Sequence, residues 1–363
     1  MSKEIKAIST IIAGTIGVGF VALPYSLYKF GTIGGICVLI LVCIITVITN
    51  IAYSEIIVND KENIQICGYT KKHLGEVTAH LITIVILVGS FGVLYAYGLL
   101  SGSALRVLLS PLGVSVSPNF LSLIFIGVAL CVMRYGMQLI SKVSAFAVVI
   151  LVIAMIVLVG FSIPHIDINN VSPLDFDQFP FIYGVSIFAM YSAASIPVID
   201  EIIGYDRKKF RKAILIANLV TVVIYIVFAL VLSLNLGRSL TGELVNAFPL
   251  EQRTVSYIVS ILALVGVFTS FILVSNSVKE ILNYDYKIPQ KTTFLMIATL
   301  LIWLMIFEVL DFETIVSRVG NIALALQSVA IFAIWFRIKN KSNSLFKILV
   351  GITAFSLIAG MIL

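Results

Sequence analysis

Charged side chains are scarce in this sequence. Asp, Glu, Lys and Arg account for 12% of its 363 residues, whereas about a quarter of a typical soluble domain is charged. Apolar residues account for 60%, and the mean hydropathy is +1.12. A chain of this length would have to bury more apolar surface than one or two ordinary cores can hold. The composition therefore argues against a compact water-soluble enzyme, a disordered chain and a nucleic-acid-binding module.

Cysteine and histidine are also few, and neither forms a motif. Of the four cysteines, Cys37, Cys43 and Cys131 lie in apolar stretches and Cys67 in a polar one, so no disulfide framework is predicted. The three histidines lie far apart in the sequence, and the apolar stretches hold no paired catalytic carboxylates. We therefore expect no metal centre, no enzyme activity and no cofactor other than a coupling ion.

The apolar residues are concentrated in long stretches without a charged side chain. There are eleven, at residues 7–28, 30–54, 77–105, 107–133, 143–166, 178–199, 213–237, 254–278, 292–307, 319–336 and 348–363. A bilayer core of about 30 Å takes roughly 20 helical residues, so we predict an all-α integral membrane protein with eleven transmembrane helices. The last three stretches are short and must include flanking residues such as Glu308 or Lys347.

Lys and Arg are distributed unevenly over the two ends of the predicted helices. If the N-terminus is cytoplasmic, all but five of the 24 basic residues fall on the cytoplasmic side, as is typical of membrane proteins. The five others are Lys29, Arg106, Arg238, Arg253 and Arg318. We predict a multi-pass protein of the cell membrane with a retained first helix, a cytoplasmic N-terminus and a C-terminus on the opposite side.

Glycine interrupts the first apolar stretch. Gly14, Gly17 and Gly19 fall within six residues and are followed by Pro24. Each glycine weakens a helix by about 1 kcal/mol relative to alanine, and unwound backbone survives in lipid only where it lines a protein-buried or watery cavity. Because the three glycines do not share one helical face, we predict unwinding rather than close helix packing.

The sixth stretch contains a second defect. Small and hydroxyl residues run from Ser192 up to Pro197, which lacks a backbone donor and strains the preceding turn, so we predict a break just before it. Two breaks five helices apart fit an architecture of two inverted repeats. The predicted organisation is a first repeat at residues 1–166, a second at 167–338 and an additional helix at 339–363.

Two broken helices can bind a zwitterion without an ionised side chain. The second half of a broken helix begins with free N–H groups, and the first half ends with free carbonyls. A carboxylate would bind N–H groups near Val18 and Gly19, and an ammonium group would bind carbonyls around Phe188, Ala189 and Tyr191. The near-absence of charge in the middle of the apolar stretches agrees with such a site.

Three segments resemble those of a known group. The run IIAGTIGVGFVALPYSLYKFG is similar to the first helix of the amino acid/auxin permease group and its bacterial aromatic and hydroxy amino acid permease relatives, in the amino acid-polyamine-organocation superfamily. Ser195-Ile196-Pro197 and Thr269-Ser270-Phe271 resemble their S-I-P and T-S-F segments. The resemblance implies a five-plus-five inverted-repeat, leucine-transporter-like fold with discontinuous helices 1 and 6. It also implies secondary active transport of amino acids by alternating access, coupled to a cation.

The resemblance also implies a set of site residues between helices one, three, six and eight. The implied substrate-binding residues are Thr15, Gly17, Val18, Gly19, Tyr97, Phe188, Ala189, Tyr191 and Ser192. Tyr97 would close the pocket, although helix packing explains its position equally well. Several relatives carry a polar residue where this chain has Ala193 and Ala194, so their side-chain specificity does not carry over. The small residues favour a neutral, hydrophobic amino acid.

Sodium and a proton are equally supported as the coupling ion. A sodium ion would lie between carbonyls of Gly14 and Ile16 and the hydroxyls of Thr269 and Ser270, since hard cations bind such oxygens. Adjacent hydroxyls in an apolar helix also commonly bond to the preceding turn.

The titratable side chains near the apolar stretches are Glu55, Asp200 and Glu201. All three lie near the predicted cytoplasmic ends of helices. We expect Asp200 and Glu201 to form an inner gate or an interfacial ion pair with the basic residues at 207–212.

Other functional classes have weaker support. A channel would need rings of pore-lining groups, and no filter-like repeat occurs. An amino acid-binding membrane sensor, or a uniporter without ion coupling, remains the alternative to a symporter. The expected partners are the amino acid substrate and the lipid bilayer, with no nucleic acid, and the sequence leaves the oligomeric state open.

Overall fold

The computed structural model describes residues 3–62, 64–113, 116–133, 137–248, 253–338 and 344–362, and within these ranges every regular element is a helix. In chain order, these are α1 Lys3–Thr15, α2 Leu23–Phe30, α3 Thr32–Asp60, α4 Ile66–Leu74, α5 Glu76–Leu109, α6 Pro118–Met133, α7 Met137–Ser162, α8 Phe179–Met190, α9 Ile196–Ile203, α10 Arg207–Leu236, α11 Arg253–Glu280, α12 Gln290–Phe307, α13 Phe312–Arg318, α14 Ala325–Ile338 and α15 Ser344–Ile362.

The described helices account for the eleven predicted stretches. Seven helical segments are long and apolar enough to cross a bilayer, three more are apolar but shorter, and the first span is divided between α1 and α2. The sixth span consists of α8 and α9, and the tenth of α13 and α14. Large apolar side chains such as Ile33, Val77 and Phe355 are exposed on the outside of the bundle, where the acyl chains of a bilayer would cover them.

One predicted boundary was wrong. The chain leaves α12 after Phe307, because Glu308 adopts a left-handed conformation with φ of 47°. The ninth span therefore extends at its other end, to Gln290, instead of including Glu308. The last helix begins at Ser344 and does include Lys347, as predicted.

The first span is interrupted where its glycines cluster. Helix α1 ends at Thr15, and the N–H of Gly17 donates to the carbonyl of Thr15 at 2.8 Å. A short 3-10 turn at Val18–Val21 then leads into α2. Pro24 occupies the first turn of α2, where its missing N–H costs no helical hydrogen bond.

The sixth span is also interrupted, and the break lies just before Pro197, as predicted. Helix α8 ends at Met190, Tyr191 is extended, and α9 begins at Ile196 after a 3-10 turn. The break covers residues 191–195 and is followed directly by Ile196 and Pro197. Proline initiates the second half-helix instead of ending the first, because the first turn of a helix has no intrahelical use for its N–H.

Ion pairs tie together the end of the bundle that holds the N-terminus. The carboxylate of Glu55, 3% exposed, accepts hydrogen bonds from Arg211 of α10 and from the indole N–H of Trp335 at 2.9 Å. Lys212 pairs with Glu4 at 2.7 Å. These contacts join α10 to α1 and α3, and α3 to α14.

Candidate functional site

The two breaks meet at Gly19. A Cβ atom on Gly19 would lie 2.5 Å from the Cα of Ala189 and 2.9 Å from its backbone nitrogen. No side chain fits at that distance, so the approach of the first span to the sixth requires glycine. A Cβ atom on Gly14 would likewise collide with the hydroxyl of Ser195, although that hydroxyl can rotate away.

The third and eighth spans reach the same place. The phenol of Tyr97 in α5 lies close to the side chain of Ser270 in α11. A Cβ atom on Gly17 would lie 3.5 Å from the Tyr97 hydroxyl and 3.3 Å from the Ser270 Oγ. Gly17, Tyr97 and Ser270, which come from three different spans, are therefore gathered at the first break.

The predicted backbone groups lie beside this contact. Val18 and Gly19 open the 3-10 turn after the first break, and Phe188 and Ala189 end α8 before the second. All four are buried. The first N–H groups of one half-helix and the last carbonyls of the other thus lie in one small region, whereas the residues of that region carry no ionised side chain.

Tyr191 and Ser192 are oriented differently from the other predicted residues. The hydroxyl of Ser192 accepts a hydrogen bond from the amide of Asn50 in α3 at 2.7 Å. A cavity of about 10 Å³ adjoins Tyr191 on the side of α3, lined by Ile45, Thr46, Thr49, Asn50, Ile187, Tyr191, Ala193, Ser328 and Leu357. Both side chains therefore face α3. Asn50, which the sequence analysis did not single out, thus binds the segment between α8 and α9 from the side of α3.

A buried tyrosine on the seventh span was also missed. The hydroxyl of Tyr225 donates to the carbonyl of Thr15 at 3.0 Å and lies 3.4 Å from the carbonyl of Ala189. Its position in the middle of a charge-free stretch was visible in the sequence. Its orientation toward both breaks was not, because α10 is apolar on most of its faces through the bilayer.

The predicted cation ligands are only partly gathered. Ser270 faces Gly17, as described above, but the hydroxyl of Thr269 donates within its own helix, to carbonyls of Val265 and Gly266 at 3.2 and 3.1 Å. Such bonding to the preceding turn is common for threonine in apolar helices. Across the described residues, no group of three or more His, Cys, Asp and Glu side chains could hold a metal ion.

The predicted inner gate lies in α9. Asp200 is 8% exposed and hydrogen-bonds with Tyr205, and desolvation together with the Asp200 charge raises the pKa of the Tyr205 phenol. The side chain of Glu201 lies outside the described residues. Three of the neighbouring basic residues pair with other carboxylates: Lys209 with Asp206 at 3.3 Å, in addition to the Arg211 and Lys212 pairs.

Acidic residues also line the opposite end of the bundle. Glu313 in α13 accepts from the N–H of Gly242 at 2.8 Å, and Glu243 accepts from the amide of Asn246 at 2.8 Å. Burial raises the pKa of the Glu243 carboxyl against the opposing effect of a hydrogen bond from Ser103. The sequence analysis found titratable candidates only near the other end.

Comparisons with known proteins agree with this geometry. Residues 1–358 match the model of the tryptophan/tyrosine permease family. Glutamine transporter 2 of Aliivibrio fischeri (strain ATCC 700601 / ES114) is 22% identical over 315 residues, covering 82% of this chain and 80% of the relative. The crystal structure of MhsT in complex with L-phenylalanine matches with a TM-score of 0.70 at 12% identity, covering 98% of both chains. This likeness confirms the predicted leucine-transporter-like fold with discontinuous helices 1 and 6.

Proposed function

We infer the function from one premise: the chain belongs to the tryptophan/tyrosine permease family. It is an amino acid transporter of the membrane and not an enzyme. We further propose that it belongs to the amino acid/auxin permease group and lies in the cell membrane with a cytoplasmic N-terminus. Its two inverted repeats would comprise residues 1–166 and 167–338. The contact between Gly19 and Ala189 carries the proposal, since it brings both helix breaks to one point.

We propose a neutral, hydrophobic amino acid as the substrate. Its carboxylate would accept from the N–H groups of Val18 and Gly19, and its ammonium group would donate to carbonyls of Phe188 and Ala189. The uncharged surroundings of the breaks support a neutral side chain, because an ionised one would lie unpaired in an apolar environment. The family description and the L-phenylalanine bound to MhsT support an aromatic substrate, whereas the Aliivibrio fischeri relative is named for glutamine.

Tyr97 would cover the bound substrate. Its hydroxyl lies close to Ser270 and beside Gly17, so the ring lies between the third span and the first break. The proposed sodium site consists of carbonyls of Gly14 and Ile16 and hydroxyls of Thr269 and Ser270. The position of Ser270 beside Gly17 supports it, whereas the Thr269 hydroxyl would have to turn away from its own helix. A proton remains an equal candidate for coupling, and one experiment distinguishes the two ions.

The test is uptake into proteoliposomes from a panel of labelled tryptophan, tyrosine, phenylalanine, leucine, glutamine, glutamate and lysine. Sodium and proton gradients are imposed separately, with the membrane potential clamped. We expect saturable uptake of aromatic or aliphatic amino acids, driven by one gradient, and no uptake of lysine or glutamate. Saturable uptake that responds to neither gradient would establish a uniporter. Binding without any uptake would identify a sensor.

A further inference from the structure

One side chain of α10 reaches both helix breaks. Tyr225 is fully buried, and its hydroxyl lies 3.0 Å from the carbonyl of Thr15 and 3.4 Å from that of Ala189. Thr15 is the last residue of α1, and Ala189 is the last but one of α8. The hydroxyl therefore lies between the carbonyl ends of two different half-helices.

These carbonyls have a particular need for a donor. Both are among the last four of their helices, which have no partner within the helix, and both belong to the negative end of a helix dipole. The Thr15 carbonyl also accepts from the N–H of Gly17 at 2.8 Å. In an apolar interior, such groups must be paired with a donor or a cation. The Tyr225 hydroxyl supplies a donor that both carbonyls share, and it thereby links the two breaks.

Helix α10 braces the first break at a second point. The ring of Phe228, one turn after Tyr225, packs edge to face on Phe20 with centroids 5.3 Å apart. Phe20 belongs to the 3-10 turn that follows the break. The contacts of Tyr225 and Phe228 thus hold both sides of the first break against α10.

We propose that Tyr225 is a positioning residue for transport. Its hydroxyl orients the Ala189 carbonyl toward the substrate ammonium group and sets the distance of that carbonyl from the N–H groups of Val18 and Gly19. This inference rests on the proposed function, because it assigns those backbone groups to the substrate. It adds a residue from the seventh span to a site otherwise built from spans one, three, six and eight.

The test compares Tyr225→Phe with Tyr183→Phe. The control tyrosine is also buried, and its hydroxyl donates to a backbone carbonyl, that of Ser356 at 3.2 Å, away from the breaks. We expect Tyr225→Phe to lower the affinity for the amino acid bound best by the wild type by about tenfold. It should also speed amide hydrogen exchange at residues 16–22 and 189–195 without substrate. The control should change neither, although both variants should have similar thermal midpoints.

Wild-type affinity and exchange in Tyr225→Phe would overturn the proposal. An equal loss of affinity in both variants would also overturn it, because the effect would then belong to general stability. Hydrogen exchange is measured without substrate, so it reports on the bracing of the breaks even if the wild type binds no amino acid. In that case the proposed function fails, and the assignment of Tyr225 to substrate binding fails with it.

Discussion

Glycine at position 19 allows two backbones to approach within the distance of a single side chain. The Cβ atom of any other residue at this position would lie only 2.5 Å from the Cα of Ala189. The sequence showed that the glycines of the first span were too irregular for one packing face, but only the structure distinguishes their roles. Gly19 contacts backbone, whereas Gly17 faces the hydroxyls of Tyr97 and Ser270.

Replacing Gly19 with alanine should therefore separate the two breaks. Overpacking of a closed contact costs about 1–3 kcal/mol, so we expect the affinity for the transported amino acid to fall by about tenfold or more. Binding of the labelled amino acid to purified Gly19→Ala measures this loss.

Gly160→Ala is the matched control, because nothing lies within 4 Å of the Cβ that it would add. This variant should bind as the wild type does, and alanine should favour its helix. Wild-type binding by Gly19→Ala would mean that the two breaks can move apart without affecting the site.

At the scale of elements, the connection between α10 and α11 packs on the beginning of α13. The N–H of Gly242 donates to Glu313 at 2.8 Å, and the neighbouring Glu243 is half-buried. Burial raises the pKa of the Glu243 carboxyl, and the nearby negative charges of Glu313 and Asp311 add to the shift. Folding therefore favours the protonated form of Glu243.

The sign of the resulting pH dependence follows from this shift. The contribution of Glu243 to stability is full below the ordinary glutamate pKa of about 4.3 and is lost as the pH rises through the higher folded pKa. We expect the thermal midpoint of the wild type in detergent to increase between about pH 7 and about pH 5 by more than that of Glu243→Gln. Identical pH profiles for the two proteins would contradict this prediction.

At the scale of the whole molecule, the number of spans determines which loops share a side. Residue 208, just before the seventh span, and residue 177, just before the sixth, should lie on opposite sides, with residue 208 in the cytoplasm. In a protein lacking its four natural cysteines, Lys208→Cys should react with a membrane-impermeant maleimide only after cells are opened. Asp177→Cys should react in intact cells.

The opposite labelling pattern would reverse the proposed orientation, and equal labelling of both positions would contradict the number of spans between them. Both side chains are exposed, so a lack of reaction cannot result from burial. Reaction of each cysteine in denatured protein controls for its presence.

The sequence by itself determined that the chain folds in a membrane, that it has eleven spans and where the first break lies. These properties are local, because charge-free stretches and clustered glycines act through their own composition and backbone freedom. The predicted site residues Gly17, Gly19, Tyr97 and Ala189 were also recognised from linear motifs, and the structure brings them together.

Only the tertiary structure decided which face each helix turns toward the centre. A helix that is apolar on most sides has no amphipathic pattern to fix its rotation, so the sequence could not show that Tyr225 reaches both breaks or that Asn50 holds Ser192. The extent of the sixth break was undecided for a related reason. Proline can either end a helix or begin one, and the structure shows that Pro197 lies in the first turn of α9, whereas α8 already ends at Met190.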